Sequence, residues 1–140
     1  MGSSYTEFRG RGFWARDALL EVWLILLAEE AEREQPPIDW LNHAAKHWRS
    51  QATSGMVGCL SANLDPYATF GDRAQQLERV ATRALETLRA HGPTMERGVL
   101  NALHVGGPGA QFTSDVATAL FVDVAEAFIR LLQGPLDTDP

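Results

Sequence analysis

The sequence predicts an all-α protein, a compact bundle of about five helices with the apolar first and last helices at its centre. Apolar residues recur at helical spacing along nearly the whole chain, and no stretch keeps the alternation of a strand. Gly and Pro residues separate the periodic segments. The 140 residues are 45% hydrophobic and show no internal repeat or long linker. We therefore expect a single helical domain over residues 1–140.

The first helix is predicted at Gly12–Glu34, because Pro36 and Pro37 prevent its continuation. Glu21 is its only polar residue between Ala18 and Ala28, so this helix must be covered on nearly every side. The acidic run at its end is interpreted as a solvated, fraying terminus, with contact to a basic partner as the alternative.

Four further helices are predicted at Asp39–Thr53, Asp72–His91, Thr94–His104 and from Thr113 or Ser114 to Gln133. Asp39 is the expected N-cap of the second helix, and Asp72 that of the third, with Gln75 placed to complete a capping box. The segment Ser54–Phe70 is predicted to be irregular, with a short helical turn at Met56–Leu60.

Two helices that are apolar almost all round predict more apolar surface than one chain of this size can bury. We therefore expect a homodimer that buries one of these helices in a two-fold interface. Trp14 and Trp23 are nine residues apart, so on one helix they would point to opposite sides. Either both belong to the core, or one of them serves the interface.

Composition excludes several classes of protein. With 12 Lys and Arg against 18 Asp and Glu, the net charge of −6 argues against binding nucleic acid or anionic lipid. Two Arg-Gly units at Arg9–Gly12 are too few for an RNA-binding segment and are interpreted as a flexible lead-in. The single cysteine, Cys59, excludes an internal disulfide and is interpreted as a buried, inert thiol. The apolar run Ala18–Ala28 is too short to cross a bilayer, so we expect a cytoplasmic protein.

His43 and His47 are spaced one turn apart on the second helix, a spacing that suits two ligands of one metal ion. On the helical wheel both flank the apolar face beside Trp40. Two half-exposed histidines that shield Trp40 are the preferred interpretation, and a metal-ligand pair or a pH sensor are the alternatives.

Asp17 and Glu21 are a second pair with the same spacing, on a helix with almost no other polar residue. Carboxylates that face inward towards a histidine pair would supply a metal or acid–base site. The alternatives are a strip of the helix that meets water, shared with Glu32, or a salt bridge to an arginine that precedes the helix. In an antiparallel helix pair, the carboxylates and the histidines would lie at different heights.

The sequence therefore predicts a non-enzymatic protein-binding or regulatory module that acts as a homodimer. The residues that form its candidate binding site are Asp17, Glu21, Trp40, His43 and His47. The alternative is a small helical metal-binding protein or enzyme that combines the Asp/Glu pair with the His pair. We assign no catalytic residue, cofactor or metal from the sequence.

Overall fold

The structure, a computed structural model, describes residues 2–53, 62–69, 71–107 and 109–133. Its helices are α1 (Asp17–Glu32), α2 (Asp39–Thr53), α3 (Asp65–Ala68), α4 (Arg73–Ala90), α5 (Arg97–Asn101) and α6 (Thr118–Leu132). Its strands are β1 (Ser3–Phe8), β2 (Arg11–Arg16), β3 (Ala62–Asn63), β4 (Thr94–Met95) and β5 (Val116–Ala117). The all-α prediction is wrong, because two small sheets accompany the helices.

The largest correction is an N-terminal β-hairpin. Strands β1 and β2 pair antiparallel, with Phe8 opposite Arg11 around a two-residue turn. Both turn residues have positive φ, 51° at Arg9 and 77° at Gly10, as a type I′ turn requires. The segment expected to be a flexible lead-in is therefore an ordered turn, and the first helix begins at Asp17 instead of Gly12.

The physical reason lies in the residues that flank this turn. Tyr5, Thr6 and Phe8 precede it and Phe13 and Trp14 follow it, and aromatic and β-branched side chains favour strands. An X-Gly dipeptide between two such runs is a hairpin signal, which the helical periodicity that begins at Ala18 obscured.

Helix α1 lies at the centre of the molecule and packs against α2, α4 and α6. All its residues from Leu20 to Ala28 are buried. Trp23 is fully buried and meets Phe128 of α6 edge to face, with ring centroids 5.5 Å apart. One chain therefore covers α1 by itself, and this helix supplies no apolar face for a dimer.

Helix α2 confirms the predicted bounds Asp39–Thr53. Helix α4 follows Asp72 as its N-cap, as predicted, but no side chain there makes a capping hydrogen bond, so the capping box is wrong. None of the helices in the described residues combines the length and the apolar character needed to cross a bilayer.

The predicted helix Thr94–His104 is wrong at its start. Thr94 and Met95 form β4, which pairs antiparallel with β5, and only Arg97–Asn101 are α-helical. The Asp115 carboxylate accepts a hydrogen bond from the backbone N–H of Arg97 at 2.8 Å, which holds the start of α5 beside β5. The final helix therefore begins at Thr118, after the strand, and not at Thr113 or Ser114.

Part of the segment predicted to be irregular is ordered. The turn expected at Met56–Leu60 and the thiol of Cys59 lie outside the described residues. After them, β3 pairs parallel with β1, and the backbone N–H of Leu64 donates to the carbonyl oxygen of Glu7 at 2.8 Å. The sheet order is β2-β1-β3, which leaves β2 at an outer edge.

Candidate functional site

A groove of about 900 Å³ follows the outer edge of β2. Four consecutive residues of β2, 13–16, line it. Because consecutive side chains of a strand point to opposite faces of the sheet, the groove is in contact with both faces along this strand. Of the described residues of β1, none is part of its lining. The groove therefore lies on the side of β2 that faces away from β1, and we call it the edge groove.

The other walls of the edge groove come from Gly2, which precedes β1, from the start of α1, from the segment 111–116 and from the first half of α6. Most of its lining is apolar, and the larger apolar side chains there are Phe13, Trp14, Leu19, Phe112, Val116, Leu120 and Val124. Trp14 is 70% exposed and Leu120 is 44% exposed, so two large apolar side chains meet water at this place. A concave apolar surface of this size with a few polar groups is typical of a binding site.

Asp17 and Glu21 both line the edge groove. Their side chains are only 8% and 6% exposed, so the interpretation as a strip that meets water is wrong. Asp17 accepts a hydrogen bond from the Ser4 hydroxyl at 2.7 Å, and its backbone N–H donates to the carbonyl oxygen of Gly2. The N-terminal strand thus fixes the position of the first carboxylate.

Glu21 is the more perturbed of the two acidic groups. Burial in the groove wall, together with the negative charge of Asp17, raises the pKa of Glu21 from 4.5 to about 7. A backbone hydrogen bond from Gly106 acts in the opposite direction. Within the described residues, no ion pair joins Glu21 to a basic side chain. The site therefore contains a carboxyl group that changes its charge near neutral pH.

A smaller cavity of about 210 Å³ lies beyond the edge groove. Val105, Gly106, Ala110 and the residue pair 111–112 line it, and Ala18 and Glu21 line both cavities. Glu21 is thus reached from two sides, from the edge groove and from this side pocket.

The histidine pair lies outside the lining of the edge groove. His43 and His47 contact Tyr67 just after β3, with ring centroids 6.3 and 6.1 Å apart, and neither lines the edge groove. Trp40 donates a hydrogen bond from its indole N–H to Gln76 of α4 at 2.8 Å, and the Arg73 guanidinium covers its ring. The histidines therefore pack on Tyr67, and the Arg73 guanidinium covers one face of the Trp40 ring.

The five predicted site residues thus divide into two groups. The acidic pair lines the edge groove, while Trp40 and the two histidines pack against the residues that follow β3. Among the described residues, no three His, Cys, Asp or Glu side chains come close enough together to hold a metal ion. A combined Asp/Glu and His site remains a prediction from the sequence that this placement does not support.

Sequence reasoning missed most of the groove. The sequence places Trp14 on the first helix, and it divides the segment 111–116 between a connection and the start of the final helix at Thr113 or Ser114. The available signal is the aromatic pair Phe13 and Trp14 just after the Arg9–Gly10 turn, because aromatic side chains favour strands. No local signal indicates that the segment 111–116 returns to this strand.

No family model matches the chain, and no curated protein and no solved structure is similar enough to it to count as a match.

Proposed function

We propose that the protein is a non-enzymatic protein-binding module and that the edge groove is where it binds an extended segment of its partner. The observation that supports this most strongly is the outer edge of β2, which pairs with no other strand of the described residues and runs along an apolar groove. An extended segment can add to such an edge through main-chain hydrogen bonds, while pockets beside the strand select its side chains.

The hairpin register indicates which groups are available for this. In a hairpin with a two-residue turn, the pair of residues that closes the turn exchanges main-chain hydrogen bonds. Further along the two strands, pairs without such bonds alternate with pairs that have them. The pair Phe8 and Arg11 closes the turn here. The N–H and C=O groups of Trp14 and the N–H group of Arg16 therefore point away from β1, towards the edge groove, while the C=O group of Arg16, the N-cap of α1, accepts the first hydrogen bond of that helix.

The dimensions of the groove fit this role. A six-residue strand such as β2 is about 20 Å long, and its pairing edge presents groups from alternate residues. Leu120 and Val124 of α6 stand across the groove from this edge. A strand laid between the edge and the helix would bury the exposed side chain of Trp14, and tryptophan is enriched among the residues that dominate binding energy.

We also propose that the protein acts as a homodimer, through a surface other than the apolar helices. Tyr5 and Trp14 form a ring pair on the outer face of the hairpin, with centroids 5.2 Å apart. Both side chains are more than a third exposed. Two copies of this face can stack their Tyr5 rings around a two-fold axis, which is the commonest way of closing a dimer, and this leaves Trp14 to the edge groove. We further propose a cytoplasmic location, which is supported by a single cysteine that cannot form an internal disulfide.

Hydrogen exchange of backbone amides tests the edge groove directly. Random octapeptides displayed on phage would be selected against the purified protein, and the enriched sequences would be synthesised. We expect the bound peptides to slow the exchange of the Trp14 and Arg16 amides, because these groups would then donate to the peptide.

Two variants of Trp14 distinguish the contribution of its main-chain N–H group to binding from that of its side chain. Trp14→Pro removes both the indole and the N–H group at the free edge, where proline is tolerated, whereas Trp14→Ala removes only the indole. We expect Trp14→Pro to bind about three to ten times more weakly than Trp14→Ala, since one main-chain hydrogen bond is lost. Equal affinities, or peptides that leave exchange in β2 unchanged, would contradict the proposal.

A further inference from the structure

The side pocket beyond the edge groove is small and mostly apolar. Its volume of about 210 Å³ is below the range of about 300–1,000 Å³ that is typical of sites for whole small molecules. The uncharged residues of its lining are Ala18, Val105, Gly106, Ala110, Gln111 and Phe112. Among the described residues that line it, Glu21 is the only one with a charge. A pocket of this size and lining suits a single apolar side chain.

The side pocket can be reached from the edge groove past a small residue. Ala18 lies at the start of α1 and lines both cavities, and it is exposed. Because an alanine has no side chain beyond Cβ, α1 does not block the way at this residue. The side chains of an extended segment leave its main chain on alternate sides. One of them can therefore enter the side pocket while the main chain pairs with β2.

The state of Glu21 favours an uncharged occupant of the pocket. Burial raises the pKa of Glu21 to about 7, so below neutral pH its carboxyl is mostly protonated. Gly106 already supplies a hydrogen bond from its backbone, so the carboxyl has a polar partner within the fold. An apolar side chain in the pocket would displace the water that reaches the carboxyl, which favours the protonated form further.

We propose that the side pocket receives one large apolar side chain of the extended segment that binds in the edge groove, and that the protonated carboxyl of Glu21 forms part of the wall against which this side chain packs. This inference rests on the proposed function, because it names the class of segment that the groove would take. The segment carries an uncharged anchor residue such as leucine, methionine or phenylalanine, whose burial selects it over alanine.

The proposal predicts that binding weakens as the pH rises. The other charged residues that line the two cavities are Arg16 from β2, Asp17 from α1 and Asp123 from α6, and the described lining residues between 105 and 112 are uncharged. Because the bound segment removes water from Glu21, the pKa of this carboxyl is higher in the complex than in the free protein. Affinity should therefore fall as the pH rises through about 7, where the free protein releases this proton and the complex keeps it.

The test repeats the phage selection of octapeptides at about pH 6, where Glu21 is mostly protonated. We expect one position of the selected sequences to be enriched in leucine, methionine or phenylalanine. Replacement of this anchor with alanine should weaken binding about ten- to a hundredfold, and replacement with lysine at least as much. Between about pH 6 and about pH 8, affinity for the selected peptide should fall several-fold, and affinity for the alanine peptide should fall less.

A variant of Ala18 tests whether the anchor enters the side pocket. Ala18→Leu narrows the way into it, so it should weaken binding of the selected peptide about tenfold and leave binding of the alanine peptide nearly unchanged. The matched control is Ala119→Leu, which changes an exposed alanine at the second position of α6, as Ala18 is at the second position of α1. Ala119 lies outside the lining of both cavities, so this variant should bind both peptides as the wild type does.

A second pair of variants assigns the pH dependence. In Glu21→Gln the fall in affinity with pH should disappear, because glutamine does not titrate in this range. His104→Asn, which changes the histidine that precedes the pocket residue Val105, should retain the fall, and asparagine tolerates the positive φ of 56° at this position. Circular dichroism would confirm that each variant is folded.

The outcomes distinguish this inference from the proposed function. Peptides that protect β2 from exchange but show no apolar anchor, or an affinity that does not fall between about pH 6 and about pH 8, would overturn the inference and leave the binding function standing. A selection that yields no peptide protecting β2 would overturn both. Peptide binding that converts a dimer into monomers would assign the edge groove to a second copy of this chain, and would also overturn the inference.

Discussion

Glu21 is a buried carboxyl group whose charged neighbour on the same helix, Asp17, has the same sign. Burial penalises the charged form of an acid, and a like charge one turn away adds to the penalty. The folded state therefore holds a proton on Glu21 at a pH where the unfolded chain has released it. This single group makes stability depend on pH near neutrality.

We expect the free energy of unfolding to fall as the pH rises from 4.5 to about 7 and then to level off. In this window the unfolded state ionises Glu21 and the folded state does not, so ionisation favours unfolding. The loss of unfolding free energy is on the order of 2 kcal/mol. Urea denaturation at several pH values would measure it.

In the variant Glu21→Gln the free energy of unfolding should change much less between pH 4.5 and about pH 7, because glutamine does not titrate in this range. Glu86→Gln, which changes an exposed glutamate on α4, should keep it. A wild-type protein whose stability rises across this window would show that other titrating groups dominate over Glu21.

At the scale of the elements, ion pairs connect the acidic end of α1 to α4. Arg83 approaches Glu34 at 2.8 Å and Glu30 at 3.6 Å, and Arg79 also reaches Glu34. The side chains of both glutamates are about a tenth exposed. The interpretation of a solvated, fraying terminus is therefore wrong for these two residues, since the arginines that hold them come from a distant part of the chain.

Arg83→Met should destabilise the protein by about 1–2 kcal/mol, because it leaves two mostly buried carboxylates without this partner while it keeps the aliphatic stem. The hydrogen bond from Arg83 lowers the pKa of Glu34. The contribution is therefore present at neutral pH and is lost as acid protonates Glu34 below 4.5. Thermal unfolding at neutral and acid pH would measure both effects.

The matched control is Arg89→Met on the same helix. Arg89 pairs with Glu126 at 3.3 Å, but both side chains are largely exposed, so the loss should stay below about 0.5 kcal/mol. If the two variants lower the free energy of unfolding equally, burial of the glutamates does not strengthen their ion pairs.

The hairpin depends on a glycine that packing requires. A Cβ atom at Gly12 would collide with the carbonyl oxygen of Thr6 and with the ring of Tyr5. Gly12→Ala should therefore destabilise the protein by about 1–3 kcal/mol and loosen the hairpin. Denaturant unfolding and amide exchange in β1 and β2 would measure the two effects.

Gly98 provides the control, because a Cβ atom there meets nothing within 4 Å and the residue lies in α5. Gly98→Ala should be neutral or stabilise the protein by up to about 1 kcal/mol. A Gly12→Ala variant as stable as the wild type would contradict the close contact between β1 and β2 described here.

At the scale of the whole molecule, the surface left for association lies on the hairpin and around the edge groove. The apolar helices are covered within one chain, apart from single side chains such as Leu120. Exposed aromatic side chains concentrated on one small sheet are a stronger indication of a contact surface than scattered aliphatic residues.

Sedimentation should therefore detect a dimer at micromolar concentration. Tyr5→Ser, which changes the outer face of the hairpin but not the lining of the edge groove, should raise the dissociation constant about tenfold or more. Val99→Ser removes an equally exposed apolar side chain from α5 and should leave the dimer intact. A wild-type monomer at these concentrations would refute the dimer.

The sequence by itself determined the main helices and the central place of the first one. The helix Asp39–Thr53 can be predicted from its own residues, because side chains three and four positions apart lie on the same side of a helix and therefore show its period in the sequence. It also identified Asp17 and Glu21, since two acids within or beside the apolar run Ala18–Ala28 are conspicuous without any coordinates.

Only the tertiary structure decided that these two acids line a groove and that the histidines do not join them. The groove depends on the edge of β2 that pairs with no strand among the described residues, and on α6 and the segment 111–116, which return to this edge from about a hundred residues further along the chain. The periodicity of the sequence does not predict such contacts, because they are stabilised by the burial of surfaces that meet only after the chain has folded.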